Sequence, residues 1–455
     1  MELDMTKGSP VRLIIRFIIP IIIGNIFQQL YSMADTIIVG HFVGVKALGA
    51  VGATGSITFL ILGFTQGLTT GFTVLTAQRF GEGDREGMKR SICSAYMLAV
   101  ILTIVMTFVS VTQMDKLLHL MNTPEDIYDM TKSYIIIICG GLACNVLYNL
   151  LASIMRAVGN SVIPLVFLVI AAVLNVGLDI LFIVAFHMGV EGAAYATIIS
   201  QGVSGISCLI YMIACVPSLR VEKRHWKIDW NCVKKQLLVG VPMALQYSIT
   251  AIGTIMVQSA LNLLGSTVVA AYSVACKVEQ LVTQPYGAMG VTMATYGAQN
   301  RGVNDLERIR KGAKISTIMT TVYSVVIYGV LLLILPHMVR LFVSEGEVAA
   351  VYDYVKTYAV LCGAFFVPLG IIFVYRNLLQ GCGFGFLPMI GGIIELVSRG
   401  GVAFIAAYMR SYVGICMGNV AAWVTAGSFF VVLYFILMKQ MEREKAAYRG
   451  RRDSL

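Results

Sequence analysis

Long apolar runs alternate with short polar or Gly/Pro punctuation along the whole chain. The runs fall at residues 11–39, 45–78, 91–112, 131–155, 162–186 and 191–216. A second set falls at 237–263, 267–298, 314–335, 352–379, 386–409 and 413–438. Each approaches or exceeds the roughly 20 residues that an α-helix needs to cross a bilayer. A helix satisfies its own backbone in lipid, so runs this long and this poor in charge predict spanning helices. The pattern therefore predicts an all-α integral membrane protein with twelve transmembrane helices in two pseudo-symmetric six-helix lobes. The lobes cover 1–216 and 237–438, joined by a cytoplasmic linker at 217–236 and followed by a basic cytoplasmic tail at 439–455.

Composition supports lipid as the solvent. Hydrophobic residues make up 58% and charged residues 13% of the chain, with a mean hydropathy of +0.81. A soluble domain carries about 25% charge. Twelve spans use nearly all of the 455 residues, which leaves no stretch for a soluble catalytic domain. Met1 to Pro10 is polar and lacks a small-residue cleavage site, so it reads as a lead-in to the first span rather than a signal peptide. The ten cysteines form no C-x-x-C pair and act as small hydrophobes, so neither zinc nor disulfides are expected. His41, His119, His187, His225 and His337 lie at loops or span ends without partners at ligand spacing. An enzyme is therefore not expected, and no cofactor is called for. Nothing suggests the selectivity ring of a channel.

Charge then orients the spans. With both termini in the cytoplasm, that side takes about 25 of the 34 basic residues, as the positive-inside rule requires. They include Arg79, Arg85, Lys89 and Arg90, the linker cations from Arg220 to Lys235, and Arg301 to Lys314. The opposite side keeps Lys46, Lys116, Lys132, Arg340, Lys356 and Arg410. The net charge of +10 is thus a topology signal and not a sign of nucleic-acid binding. Trp226 and Trp230 punctuate the linker, whose rings are expected at headgroup level.

The halves resemble each other. Ala77-Gln78-Arg79-Phe80-Gly81-Glu82-Gly83-Asp84-Arg85-Glu86 matches Ala298-Gln299-Asn300-Arg301-Gly302-Val303-Asn304-Asp305-Leu306-Glu307 at Ala, Gln, Gly, Asp and Glu. Pro20 pairs with Pro242, and Gly159 and Pro164 pair with Gly383 and Pro388. These landmarks lie about 221–224 residues apart, as expected of a duplication. Six spans per half give both halves the same orientation, an arrangement common in secondary transporters.

Ionisable side chains inside spans face a cavity or a partner. Here they are Asp35, Asp179, Lys277, Glu279, Arg376, Glu395 and Arg399. Asn175 and Asp179 are four apart and share a helix face; Asp35 comes from the first span and Thr197 from the sixth. Two carboxylates, an amide oxygen and a hydroxyl form a hard oxygen set suited to Na⁺. Two crowded carboxylates also suit a proton. Pro20 removes a backbone donor and permits the first span to bend. Candidate substrate-cavity residues are Gln28, Gln29, Tyr31, Gln201, Glu279 and Gln284. Glu279 shares a face with Thr283, and a buried pairing with another span is its alternative. Glu395 and Arg399, again four apart, read as a structural or gating ion pair, and Arg376 as a cation snorkelling to a span end. The offset from Pro164 to Pro388 puts Arg399 where the first half has Asn175, so the coupling ion is expected in the first lobe.

Several stretches together resemble the multidrug and toxic compound extrusion (MATE) transporters over essentially the whole chain. They are Gly8-Ser9-Pro10, Pro20 to Asp35 with Val39-Gly40, Arg156-Ala157-Val158-Gly159-Asn160 to Pro164, Leu174 to Asp179, and Gly189 to Gln201. The likeness is to the bacterial branch of DNA-damage-inducible and Gram-positive drug exporters. It implies an antiporter that exports amphipathic or cationic organic compounds against H⁺ or Na⁺ by alternating access of two lobes. The family's first-lobe cation site maps onto Asp35, Asn175, Asp179 and Thr197. The resemblance departs in the tenth span, where Asp353 stands at the edge rather than in the middle. A multi-pass protein of the bacterial plasma membrane, working as a monomer on small molecules, is what it implies. A lipid-linked oligosaccharide flippase of the same superfamily is the alternative.

Overall fold

A computed structural model describes residues 2–121, 123–342 and 348–453. Among these residues the elements are helices only. The first half holds α1 (Pro10–Phe42), α2 (Val45–Glu82), α3 (Arg85–Leu120), α4 (Glu125–Gly140), α5 (Leu142–Ala157), α6 (Val162–Asp179) and α7 (Gly189–Cys215). The second holds α8 (Trp230–Asn262), α9 (Ser266–Gly302), α10 (Leu306–Phe342), α11 (Val348–Gly363), α12 (Phe366–Gly381), α13 (Phe386–Tyr408) and α14 (Tyr412–Asp453).

Nine of these helices are long and apolar enough to cross a membrane. Two further spans are broken: α4 meets α5 at 47°, and α11 meets α12 at 52°. The fourth and tenth spans, expected as single helices, are thus bent pairs. The breaks fall at Gly140-Gly141 and after Gly363, where glycine lowers the cost of leaving the helical ladder. Helix α9 completes the twelve by length, with 37 residues; Lys277, Glu279, Gln280 and Gln284 make it the most polar span.

Backbone geometry repeats with the sequence. Left-handed residues occur in equivalent pairs: Gly44 and Gly265 (φ 114° and 103°), Gly83 and Asn304 (80° and 55°), Gly159 and Gly383 (81° and 98°), and His187 and Arg410 (54° and 50°). In the first motif copy the Asp84 carboxylate accepts the Gly87 N–H at 2.8 Å and caps α3. In the second, Asp305 accepts the Arg308 N–H at 3.0 Å and caps α10. The shared Asp is therefore a helix cap, and the residue before it, Gly83 in one copy and Asn304 in the other, is a left-handed turn that both residue types tolerate.

Contacts divide the chain into two units, one of Met1–Asp4 and Arg16–Tyr247, the other of Met5–Ile15 and Ser248–Leu455. The division falls within α1 and α8 rather than in the linker. In the first unit α2 meets the start of α8 at glycines, where a Cβ on Gly71 would lie 2.3 Å from the Gly240 Cα. Small residues there let two backbones touch, as in other membrane helix pairs. Residues 217–226 form two short 3₁₀ turns, and α8 begins at Trp230, several residues before its apolar run. His225, 1% exposed, receives the Glu222 N–H on Nδ1 at 2.9 Å and donates from Nε2 to Glu86 of α3 at 3.0 Å. Trp226 stacks on Tyr96. The connection is thereby pinned to α3.

In the second unit the expected tail continues α14 as helix. Acids of the tail anchor it through ion pairs: Glu444 pairs with Arg301 at 2.7 Å, and Glu442 pairs with Arg310. Lys445 donates to the Asn304 carbonyl at 2.7 Å. The side chains of Arg449, Arg451 and Arg452 and residues 454–455 lie outside the described set. The N-terminal segment is held in the same unit, with Arg308 donating to the Met5 and Gly8 carbonyls at 2.9 Å each.

Candidate functional site

Three helices of the first unit assemble the oxygen cluster. Helix α6 carries Asn175 and Asp179 on its inward face, 1% and 0% exposed, because residues four apart lie one turn above each other. Directly after Asp179 the helix widens into a π-helical stretch, Ile180–Ala185. Such wide turns recur at functional sites. Nothing in the apolar run Ile180-Leu181-Phe182-Ile183-Val184-Ala185 announced it. Helix α7 packs along α6 and contributes Thr197 and Gln201, also four apart. A Cβ on Gly192 would lie 3.1–3.3 Å from side-chain atoms of Phe182, Met188 and Ile183, so a small residue is needed where α7 starts. Helix α1 contributes Tyr31 and Asp35, one turn apart.

The contacts within the cluster are few. Asn175 Nδ2 reaches Thr197 Oγ1 at 3.5 Å, and the Gln201 side chain neighbours the Tyr31 phenol. Asp35 and Asp179 stand close enough to repel each other, and the Tyr31 and Tyr134 phenols lie within electrostatic range of both. Asp35 Oδ1, Asn175 Oδ1, Asp179 Oδ1 and Oδ2, and Gln201 Oε1 are buried and receive no hydrogen bond. Every one is an acceptor. Buried acceptors left without donors cost about 1–3 kcal/mol each, so five of them in one cluster suit a positively charged guest. An all-oxygen set with two formal negative charges matches Na⁺ or a proton and not a soft metal.

Asp35, Asn175, Asp179 and Thr197, the set the sequence predicts, lie together in the structure. Tyr31 and Gln201, expected in a substrate cavity, join the same cluster. Tyr134 of α4 was missed, because a lone phenol in an apolar run reads as another hydrophobe. Gln29 is half-buried on α1 and Gln28 is exposed; among the described residues neither hydrogen-bonds to the four. Glu279 and Gln284 belong to the second unit. There Tyr358 of α11 donates to the Glu279 carboxylate, and Asn419 donates to Tyr358 at 3.1 Å and to Tyr272 at 3.2 Å. This polar knot ties α9, α11 and α14 together.

The Glu395–Arg399 pair proves to be part of a triad. Arg376 of α12 is no snorkelling cation: its side chain is 15% exposed, it lies 3.6 Å from Glu395 Oε1, and its guanidinium sits over the Phe373 ring at 5.0 Å. Arg399 is 4.0 Å from the other oxygen. One carboxylate thus serves two guanidiniums at distances too long for hydrogen bonds.

Comparisons with known proteins agree with this architecture. The MatE family model matches residues 20–181 and 239–405, once per half. The chain is 30% identical over 384 residues to the probable multidrug resistance protein YpnP of Bacillus subtilis, covering 84% of each chain. It is 24% identical to the probable multidrug resistance protein NorM of Thermotoga maritima, covering 96% of this chain and 94% of that one. Among solved structures, an outward-facing multidrug resistance MATE transporter of the MOP superfamily superposes with a TM-score of 0.91 at 23% identity, covering 96% of this chain and 98% of that one. A MATE protein in complex with MaL6 gives the same TM-score and identity over 97% and 99%. A duplicated match, helices apolar enough to span, and a buried acceptor cluster converge on one conclusion: this chain belongs to the MatE family of multi-pass membrane multidrug-efflux transporters and is not an enzyme.

Proposed function

We propose that the chain is a cation-coupled antiporter that exports amphipathic, often cationic, organic compounds in exchange for Na⁺ or H⁺. The observation that carries this reading is the set of buried oxygens of Asp35, Asn175, Asp179 and Gln201 that receive no hydrogen bond. Relatives named as multidrug resistance proteins support the substrate class. In this reading the coupling ion binds among Asp35, Asn175, Asp179 and Thr197. Its arrival offsets one of two negative charges and so relieves the repulsion between the carboxylates, and α1, softened at Pro20, responds because Asp35 is the member it supplies. Ion and substrate then favour opposite states of an alternating-access cycle. Gln28, Gln29 and Gln284 remain candidate cavity residues.

The same proposal places the protein in the bacterial plasma membrane as a functional monomer with both termini cytoplasmic, in accord with the distribution of Lys and Arg. Its lobes are 1–216 and 237–438, with the linker between them and the basic segment 439–455 last.

The test is dye efflux from proteoliposomes under a Na⁺ gradient and, separately, a pH gradient. One of the two gradients should drive efflux, and Asp35→Asn and Asp179→Asn should each abolish it. Full efflux in both variants would overturn the site, and efflux with neither gradient imposed would overturn the coupling.

A further inference from the structure

Beside the connection from α7 to α8 lies a polar cavity of about 490 Å³, lined by Glu86 and Arg90 of α3 and by Arg224, Lys227, Asp229 and Trp230. A second hollow of about 190 Å³ shares Arg90 and Asp229 and adds Lys235. All of these residues belong to the first unit.

The acids here are already engaged. Glu86 takes His225 at 3.0 Å and Arg224 at 3.2 Å, and Arg224 also meets Glu222 at 2.9 Å. Asp229 accepts the Asn231 and Cys232 N–H groups at 3.0 and 3.3 Å, capping α8. Asp84, on the second hollow, holds Arg79 at 3.0 Å and the Gly87 N–H. The cations are not all engaged. Arg90, Lys227 and Lys235 are exposed and, among the described residues, have neither ion pair nor hydrogen bond. The hollow therefore keeps three cations without an ion pair, Arg90, Lys227 and Lys235, against one carboxylate without one, Asp229, whose oxygen is taken up by the N-cap of α8.

Its rim is apolar. Trp230 is 75% exposed, Ile228 59% and Trp226 47%. Large apolar side chains are seldom left this exposed beside free cations in water, whereas the headgroup zone of a bilayer suits both: indole rings favour that depth, and anionic lipid attracts basic side chains. A soluble anion would use the cations and leave the rim unused.

We propose that this hollow binds the phosphate headgroup of an anionic phospholipid. Arg90, Lys227 and Lys235 are its cationic ligands, and Trp226, Ile228 and Trp230 lie against the glycerol and upper acyl carbons. The inference rests on the transporter reading only in placing the connection at the membrane surface. A lipid bound there ties α3, the connection and the start of α8 to one leaflet.

The test uses the full chain in phosphatidylcholine nanodiscs titrated with phosphatidylglycerol, counting retained lipid by native mass spectrometry. Quenching of Trp fluorescence by brominated phosphatidylglycerol reports the position. Each basic residue near an anionic surface contributes about fivefold in affinity, so Arg90→Gln, Lys227→Gln and Lys235→Gln together should weaken binding about a hundredfold. The charge-keeping triple Arg90→Lys, Lys227→Arg, Lys235→Arg should retain it, as should Lys311→Gln, Lys314→Gln, Lys439→Gln. Undiminished binding in the first triple overturns the proposal. Equal loss in the third overturns it too, by showing diffuse attraction. Displacement of the brominated lipid by millimolar inorganic phosphate assigns the hollow to a soluble phosphate instead. Asp179→Asn should leave lipid binding unchanged, so failure of the coupling site and failure of this site are told apart.

Discussion

Asp179→Asn is expected to stabilise the protein while it abolishes transport. Removing one partner from a satisfied buried ion pair costs about 3–5 kcal/mol. Asp179 is a different case: it is 0% exposed, neither oxygen receives a hydrogen bond, and Asp35 repels it. An acidic side chain at mid-membrane depth carries a penalty of about 2.5–3.5 kcal/mol. Asparagine removes that charge and adds an N–H donor among the unpaired oxygens of Asn175 and Gln201, each new bond contributing about 1 kcal/mol. Allowing for the acceptor that remains, the expected gain is about 1–3 kcal/mol. The assay is thermal unfolding of the purified protein in detergent at neutral pH in potassium buffer. A melting point a few degrees above wild type is the expected result. If Na⁺ is the coupling ion, adding it at a hundred times its dissociation constant should stabilise the wild type by about 2.7 kcal/mol and leave the variant unmoved. A variant that melts well below the wild type would mean that donors already hold Asp179, which would refute the reasoning.

Three further outcomes follow from the packing. Gly71→Val should cost more than about 3 kcal/mol, because its Cβ has only 2.3 Å to the Gly240 backbone, whereas Gly52→Val, with nothing within 4 Å, should be near neutral; fluorescence-detected size exclusion after heating separates the two. Glu395→Gln leaves Arg376 and Arg399 facing each other and should destabilise by about 3–5 kcal/mol. Adding Arg399→Leu should recover part of that loss in a double-mutant cycle. Arg410→Gly, at φ 50°, should raise stability by about 0.5–1 kcal/mol by relieving the left-handed backbone, and an unchanged or lowered melting point would count against that strain.

The twelve spans, the duplication and the four ion-site candidates were legible in the chain itself. Span length, charge-poor runs and i,i+4 spacing are local properties, and lipid enforces them without reference to neighbours. The Ala77 and Ala298 motifs were visible too, although their meaning as left-handed turns followed by Asp caps needed backbone angles. What only the tertiary structure decided depends on partners distant in sequence. Residues between Asp179 and His187 are uniformly apolar, so the π-helical stretch carries no pattern of its own. The bends after Gly140 and Gly363 look like ordinary glycines in apolar runs. Arg376 meets Glu395 across 19 positions and Glu279 meets Tyr358 across 79, pairings that helical periodicity cannot anticipate. The first-unit cluster was found because Asn175 and Asp179 lie on one turn of one helix. The triad and the basic hollow beside α3 were not, because a charge declares its type in sequence but whether it is paired is settled only by what folds against it.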